Sequence, residues 1–307
     1  MLLAAALLAL AQSQTQAMPQ VAPRPLIVPA TGSPVEQSRL LALPDDAVAY
    51  VPASASAHPP VLVLLHGAGR DRLNMIQRFE AEADKRGLVL LAPTSKGVTW
   101  DAITVAMTPT TFDTPLQLKQ GHRFTRSRDS DRVEAAIANL AKIVPVDRAH
   151  TVLAGFSDGA TFALAMGMER SHQFAAVIAW SPGIAIESEG AARGRRVLVS
   201  HGRQDPLLHF EVTCGEIVPL LRSEGANVTF LSFDGVHEVP QAEKDAFLDA
   251  AFGTVAGTEA VPLPTEAPVC PCNAGGSEAL NVVGEPTGYR RSSVMVEGFQ
   301  KRCGSGN

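Results

Sequence analysis

Residues 151–170 read TVLAGFSDGATFALAMGMER, and this stretch decides the fold. Its first four residues form an apolar run without polar alternation, the pattern of a strand buried on both faces. Its last eleven, 160–170, predict a helix. Between them stands Gly155-Phe156-Ser157-Asp158-Gly159, a G-x-S-x-G. A tight strand-to-helix turn of this kind strains the backbone of its central residue and exposes that side chain. The positions two before and two after must be small because strand and helix nearly touch there, which Gly155 and Gly159 satisfy. The helix N-terminus behind Ser157 places positive dipole beside any negative charge that develops there. Ser157 is therefore the candidate nucleophile.

Outward from this turn the same rhythm repeats. Apolar runs at 61–65, 88–92, 175–180, 197–200 and 228–233 predict further strands. Helical patterns fall at 75–86, 131–143, 214–223 and 241–252; Val133, Ile137, Leu140 and Ile143 keep one face of the second apolar. Alternating strand and helix predicts an α/β fold, with a mostly parallel central sheet flanked by helices on both faces. The expected catalytic domain runs over 39–253, after a Gln-, Pro- and Ala-rich linker at 19–38. Residues 103–128 and the Gly-, Pro-, Ser- and Cys-containing tail at 254–307 break the rhythm. The first predicts a lid or wall over the site, and the second a peripheral, partly disordered tail.

A serine nucleophile needs an imidazole to take its proton and a carboxylate to hold the imidazole. The run 197–200 leads into His201-Gly202-Arg203-Gln204-Asp205, and the run 228–233 into Asp234-Gly235-Val236-His237. Asp205 and His237 thus fall on loops at the carboxyl ends of strands, where ligands bind in open α/β sheets. His201 and His209 also lie near Asp205, and Asp234 lies near His237. His201 reads as a structural histidine, and Asp234 stands too close to His237 on a descending loop to face it. The run 61–65 ends in His66-Gly67-Ala68-Gly69. Its glycines let backbone approach a substrate closely. The N–H groups of Ala68 and Asp158 are the candidate oxyanion donors, and the Asp158 side chain reads as a helix-start residue.

The 307 residues are 46% hydrophobic and 19% charged, with a formal net charge of −5. That balance excludes wholesale disorder and gives no basis for nucleic acid or an anionic membrane as partner. The opening run MLLAAALLALA is too short to span a bilayer and has the length of a signal-peptide core, although no basic residue precedes it. It predicts a signal peptide over 1–18 and a secreted or periplasmic protein; a disordered leader on a cytoplasmic protein is the alternative. Of the four cysteines, Cys270 and Cys272 lack the second pair or nearby histidine that zinc requires, so no metal is expected. A bridge from Cys303 to either of that pair and free thiols in a loose tail both remain open.

The runs VLVLLHGAGR (61–70), GFSDGA (155–160), VSHGRQD (199–205) and FDGVHEVP (233–240) resemble the phospholipase/carboxylesterase branch of the α/β-hydrolases, which borders on polyhydroxybutyrate-depolymerase-like esterases. Trp100-Asp101 and Ser181-Pro182-Gly183 are similar to it as well. The resemblance spans about 60–253. It implies a serine esterase with Ser157 as nucleophile, Asp205 as acid, His237 as base, and Ala68 and Asp158 as oxyanion donors. It implies no cofactor and a small-molecule or lipid-like ester as substrate. Thioesters, lysophospholipids and short polyesters would suit the same residues. An acyltransferase or perhydrolase, or a non-catalytic binding relative, are the other classes. The segment 103–128 and the tail after 253 depart from the branch.

Overall fold

A computed structural model of the chain describes residues 37–103, 127–169, 174–184, 192–255 and 263. The expected signal peptide, most of the linker, residues 104–126 of the expected lid, nearly all of the tail, and with it Cys270, Cys272 and Cys303, lie outside the described residues.

Eight strands form one sheet: β1 (Arg39–Ala42), β2 (Val48–Val51), β3 (Pro60–Leu65), β4 (Val89–Ala92), β5 (Asp147–Phe156), β6 (Ala176–Trp180), β7 (Arg196–Gly202) and β8 (Asn227–Phe233). Their order is β1-β2-β4-β3-β5-β6-β7-β8. β1 and β2 form a hairpin across a short turn and run antiparallel, and β2 is antiparallel to β4. The remaining pairs are parallel. After β3 the chain adds β4 on one side and then crosses to place β5 on the other. That reversal opens a crevice at the carboxyl ends of β3 and β5, the usual ligand site of such sheets.

The inner parallel strands are buried on both faces over their apolar runs, as those runs predict, whereas the edge strand β8 is buried only at Phe230 and Leu231. In β3, Val61, Val63 and Leu65 join a core with Val133, Ile137 and Leu140 of α2 (Arg128–Ala141) and Phe162 of α3 (Asp158–Glu169). The same core takes Phe210 of α4 (Phe210–Val212), Ile217 of a π-helical turn (Thr213–Ile217) and Leu221 of α5 (Val218–Ser223). Leu62 and Leu64 point into the other core, with Phe79 of α1 (Arg72–Arg86) and Phe247 of α6 (Gln241–Phe252). Ile143 departs from expectation: α2 ends at Ala141, and Ile143 is 46% exposed in the turn before β5. α3 is buried over Gly159–Met168, in keeping with a helix apolar on every side. Among the described residues no helix is long and apolar enough to cross a membrane.

Candidate active site

Ser157 sits between β5 and α3 with φ +59°, a left-handed backbone that a non-glycine residue adopts only under constraint. The constraint is visible. Its N–H donates to the Trp180 carbonyl at 2.9 Å, and its own carbonyl accepts the N–H groups of Ala160 and Thr161, starting α3. A Cβ on Gly155 would fall 2.1 Å from the Gly159 carbonyl oxygen, and one on Gly159 2.2 Å from that of Leu65. The glycines of the motif are therefore required by contact.

The loop after β3 lies alongside. A Cβ on Gly67 would stand 3.2 Å from Ser157 Cβ and 3.7 Å from its Oγ. Ala68 follows, exposed at the rim, and the Gly69 N–H donates to the Val98 carbonyl at 2.9 Å. Beneath the loop His66 is buried and stacked on Trp100, ring centroids 4.6 Å apart. The indole N–H of Trp100 donates to the His66 carbonyl at 2.8 Å. The Ser95 N–H donates to His66 Nε2 at 3.1 Å, which leaves Nδ1–H to donate to the Gly67 carbonyl at 2.7 Å. Burial pulls the His66 imidazole down to about 4, so it is a neutral prop under the loop.

Asp158 opens α3, as expected of a helix-start residue, and its Oδ2 accepts the Thr99 hydroxyl at 2.5 Å. Burial pushes this carboxyl above the usual range, against the opposing pull of the Thr99 hydroxyl and of His237.

Asp205 and His237 meet because the loops after β7 and β8 continue the pairing of their strands. Arg203 N–H donates to the Phe233 carbonyl and Gln204 N–H to that of Gly235, both at 2.9 Å. A Cβ on Gly202 would come within 2.4 Å of the Val236 carbonyl oxygen, so the two loops touch there. Asp205 Oδ2 then accepts Nδ1–H of His237 at 2.6 Å, and its Oδ1 accepts the N–H groups of Leu207 and Leu208 at 2.9 Å each. Burial alone would raise this carboxyl. Its hydrogen bonds from His201, His237 and the Leu208 N–H outweigh that and hold it well below the usual carboxylate range. The His237 ring lies against Phe156, centroids 4.6 Å apart, which places the imidazole beside the residue preceding Ser157.

The rival residues are accounted for as well. Asp234 is turned outward into an ion pair with Arg203 at 2.7 Å. His209 immediately precedes α4. His201 is fully buried, and its Nε2 lies 3.1 Å from Asp205 Oδ2. That contact, and Thr99 on Asp158, are the two neighbours sequence reasoning missed. The four-residue interval from His201 to Asp205 across a strand end is the only trace of the first.

A doubly covered, mostly parallel sheet with its strained serine after β5 and its His–Asp pair after β8 and β7 is an α/β-hydrolase. Residues 46–246 match the phospholipase/carboxylesterase family, and the chain belongs to it. Among solved structures, LpqC, the poly(3-hydroxybutyrate) depolymerase from Bordetella parapertussis, is similar at 18% identity over 67% of this chain and 83% of its own, with a TM-score of 0.52. Esterase PE8 is 23% identical over 70% of this chain and 98% of its own, with a TM-score of 0.48. The phospholipase/carboxylesterase from Dyadobacter fermentans is 20% identical over 67% and 95%, with a TM-score of 0.46. At such identities the likeness to LpqC is one of fold. No curated protein matches the chain in sequence.

Proposed function

We propose that the protein hydrolyses carboxylic esters through an acyl-enzyme on Ser157. The observation that carries this reading is the Asp205–His237 hydrogen bond, set beside the strained turn that presents Ser157. An ionised Asp205 accepts Nδ1–H, so a neutral His237 keeps its lone pair on Nε2, the nitrogen that acts as base in this arrangement. Ser157 Oγ attacks the acyl carbon as His237 Nε2 takes its proton. The N–H groups of Ala68 and Asp158 receive the negative charge that forms on the carbonyl oxygen. His237 returns the proton to the leaving alcohol, and water repeats the sequence on the acyl-enzyme, releasing the acid and free serine.

An apolar ester suits the rim. Leu73, Val98, Leu207 and Val236 stand exposed in segments that follow the carboxyl ends of the strands. A fluorophosphonate probe should label the protein, and Ser157→Ala should abolish both labelling and turnover of aryl esters. Labelling that survives the substitution would remove Ser157 from this role. Aryl esters of graded acyl length, run beside a thioester and a lysophospholipid, then rank the substrates.

Export remains the reading of the leader. Cys214 is disulfide-bonded, which supports an oxidising compartment. Sequencing the N-terminus of the mature protein tests it; retention of residues 1–18 would contradict it.

A further inference from the structure

Asp205 is shared between two histidines, and the proposed mechanism uses only one. The second, His201, is the sixth residue of β7, with no exposed surface. Its Nε2 faces two acceptors, the Leu208 carbonyl at 2.7 Å and Asp205 Oδ2 at 3.1 Å, so this nitrogen carries a hydrogen and donates. Its Nδ1, the acceptor in the neutral ring, faces Thr213 Oγ1 at 2.7 Å, and Thr213 Oγ1 also lies 2.9 Å from the Pro182 carbonyl oxygen. The ring is thus pinned at both nitrogens, by the loop after β7, the π-helical turn and the segment after β6. The edge of Phe210 closes on it, ring centroids 6.1 Å apart.

We propose that His201 is a positioning residue of the hydrolytic site: it shares Asp205 Oδ2 with His237 and so sets both where that oxygen stands and how strongly it holds the imidazole. A carboxylate oxygen that accepts two hydrogen bonds has its charge divided between them. Remove one donor and the oxygen draws harder on the other, which favours the protonated form of His237. The oxygen also loses its anchor, so the imidazole is less well aimed. The two effects have opposite consequences for pH and for rate, and that separates them from a general loosening of the fold. Charged groups bearing on His237 include Asp205 from the β7 loop and Asp158 from α3; Glu238 follows it in the chain, and Arg78 of α1 lies over the neighbouring Phe156 ring at 5.4 Å. The substitution at His201 changes none of these charges and acts only through the hold on Asp205.

This inference rests on the proposed function, and its test is separable from it. In His201→Asn, whose shorter side chain gives up the donor to Oδ2, the acid limb of kcat/KM should move to higher pH by roughly half a unit or more. The plateau should fall roughly tenfold through misplacement. His201→Gln, which can still reach with an N–H, should restore part of both. Thr213→Val, which frees the other side of the ring, should shift the limb in the same direction by less, and it serves if the Asn variant does not fold. NMR titration of the His237 ring in each folded variant reads the same midpoint without activity. A wild-type protein inactive on esters with a moving His237 midpoint would count against the hydrolase reading and leave His201's hold on the Asp205–His237 pair standing apart from it. A midpoint identical to wild type in the folded variants would overturn the role given to His201.

Discussion

The hydroxyl of Thr99 donates to the carboxylate of Asp158, the residue directly after Ser157. A negative charge is thereby held next to the N–H proposed to stabilise an oxyanion, and within reach of His237. Burial already disfavours that charge. Asp158→Asn keeps the size and an acceptor for Thr99 while removing the charge. Without it, the protonated form of His237 loses a stabilising neighbour, so the acid limb of the pH–rate profile should move to lower pH by about half a unit. The profile of the variant checks this, and a limb displaced upward would contradict the geometry.

Under the proposed mechanism the acid limb belongs to the base, His237. Asp205 stays ionised far below its ordinary range, so it is not what protonates when activity falls on moderate acidification. Asp205→Asn should therefore cost more than a charge. An amide can present N–H to Nδ1 and impose the wrong tautomer, an exchange that costs about 10⁴ in kcat in comparable triads. Steady-state turnover with intact folding, followed by circular dichroism, measures it. A loss below about tenfold would mean that Asp205 does not orient the base.

His66 gives the fold an acid sensitivity of its own. In the folded protein its imidazole is held at about 4, whereas a free imidazole titrates near ~6.5. Between those values the unfolded chain takes up a proton that the folded chain refuses. Stability contributed here is present above ~6.5 and is lost as pH falls through about 4, by about 3 kcal/mol in all. Urea denaturation of wild type and His66→Gln at several pH values tests the sign. The variant starts lower because its stack with Trp100 is gone, yet its stability should decline less steeply over that interval.

Arg86 ties α1 to α6 from a side chain only 3% exposed, bonding Glu82, Asp245 and Asp249. Replacing it with Met would leave those carboxylates facing one another with only the Lys244 ammonium, 3.8 Å from Glu82, to offset them. The expected cost is about 3–5 kcal/mol at neutral pH. Arg86 helps hold the Asp245 carboxyl below its usual range, so in the Met variant that lowering is lost and the cost should shrink on acidification. Chemical denaturation at neutral and at acid pH reads the difference; equal losses would mean the arginine acts by packing alone.

The sequence exposes Ser157, Asp205 and His237 because each follows a predicted strand: β5 and β7 are buried apolar runs, and the edge strand β8 (NVTFLSF), only half-buried, still carries enough Val, Phe and Leu to be counted. The same reasoning misses β1 and β2. RLLA and VAYV are four residues each, and a paired hairpin of that length has no period long enough to identify. Ile143 fits the helical spacing of α2 but falls past the Lys142 cap, because spacing does not show where a helix stops. Thr99 on Asp158 joins the loop after β4 to the start of α3 across the β4–β3–β5 crossover, and His201 reaches Asp205 only because the chain turns back sharply at the end of β7. Nothing local to Thr99 encodes its partner, and the short His201–Asp205 interval does not by itself show that the turn brings the two side chains together.

The left-handed backbone at Ser157 carries a consequence for anyone seeking to improve the protein. A side chain in that conformation costs roughly 1 kcal/mol or more, which glycine would not incur. Selection for heat resistance alone would thus favour erasing the hydroxyl, and the most durable variants of such a library need not include a single working one. Directed evolution on this scaffold has to screen for turnover at every round.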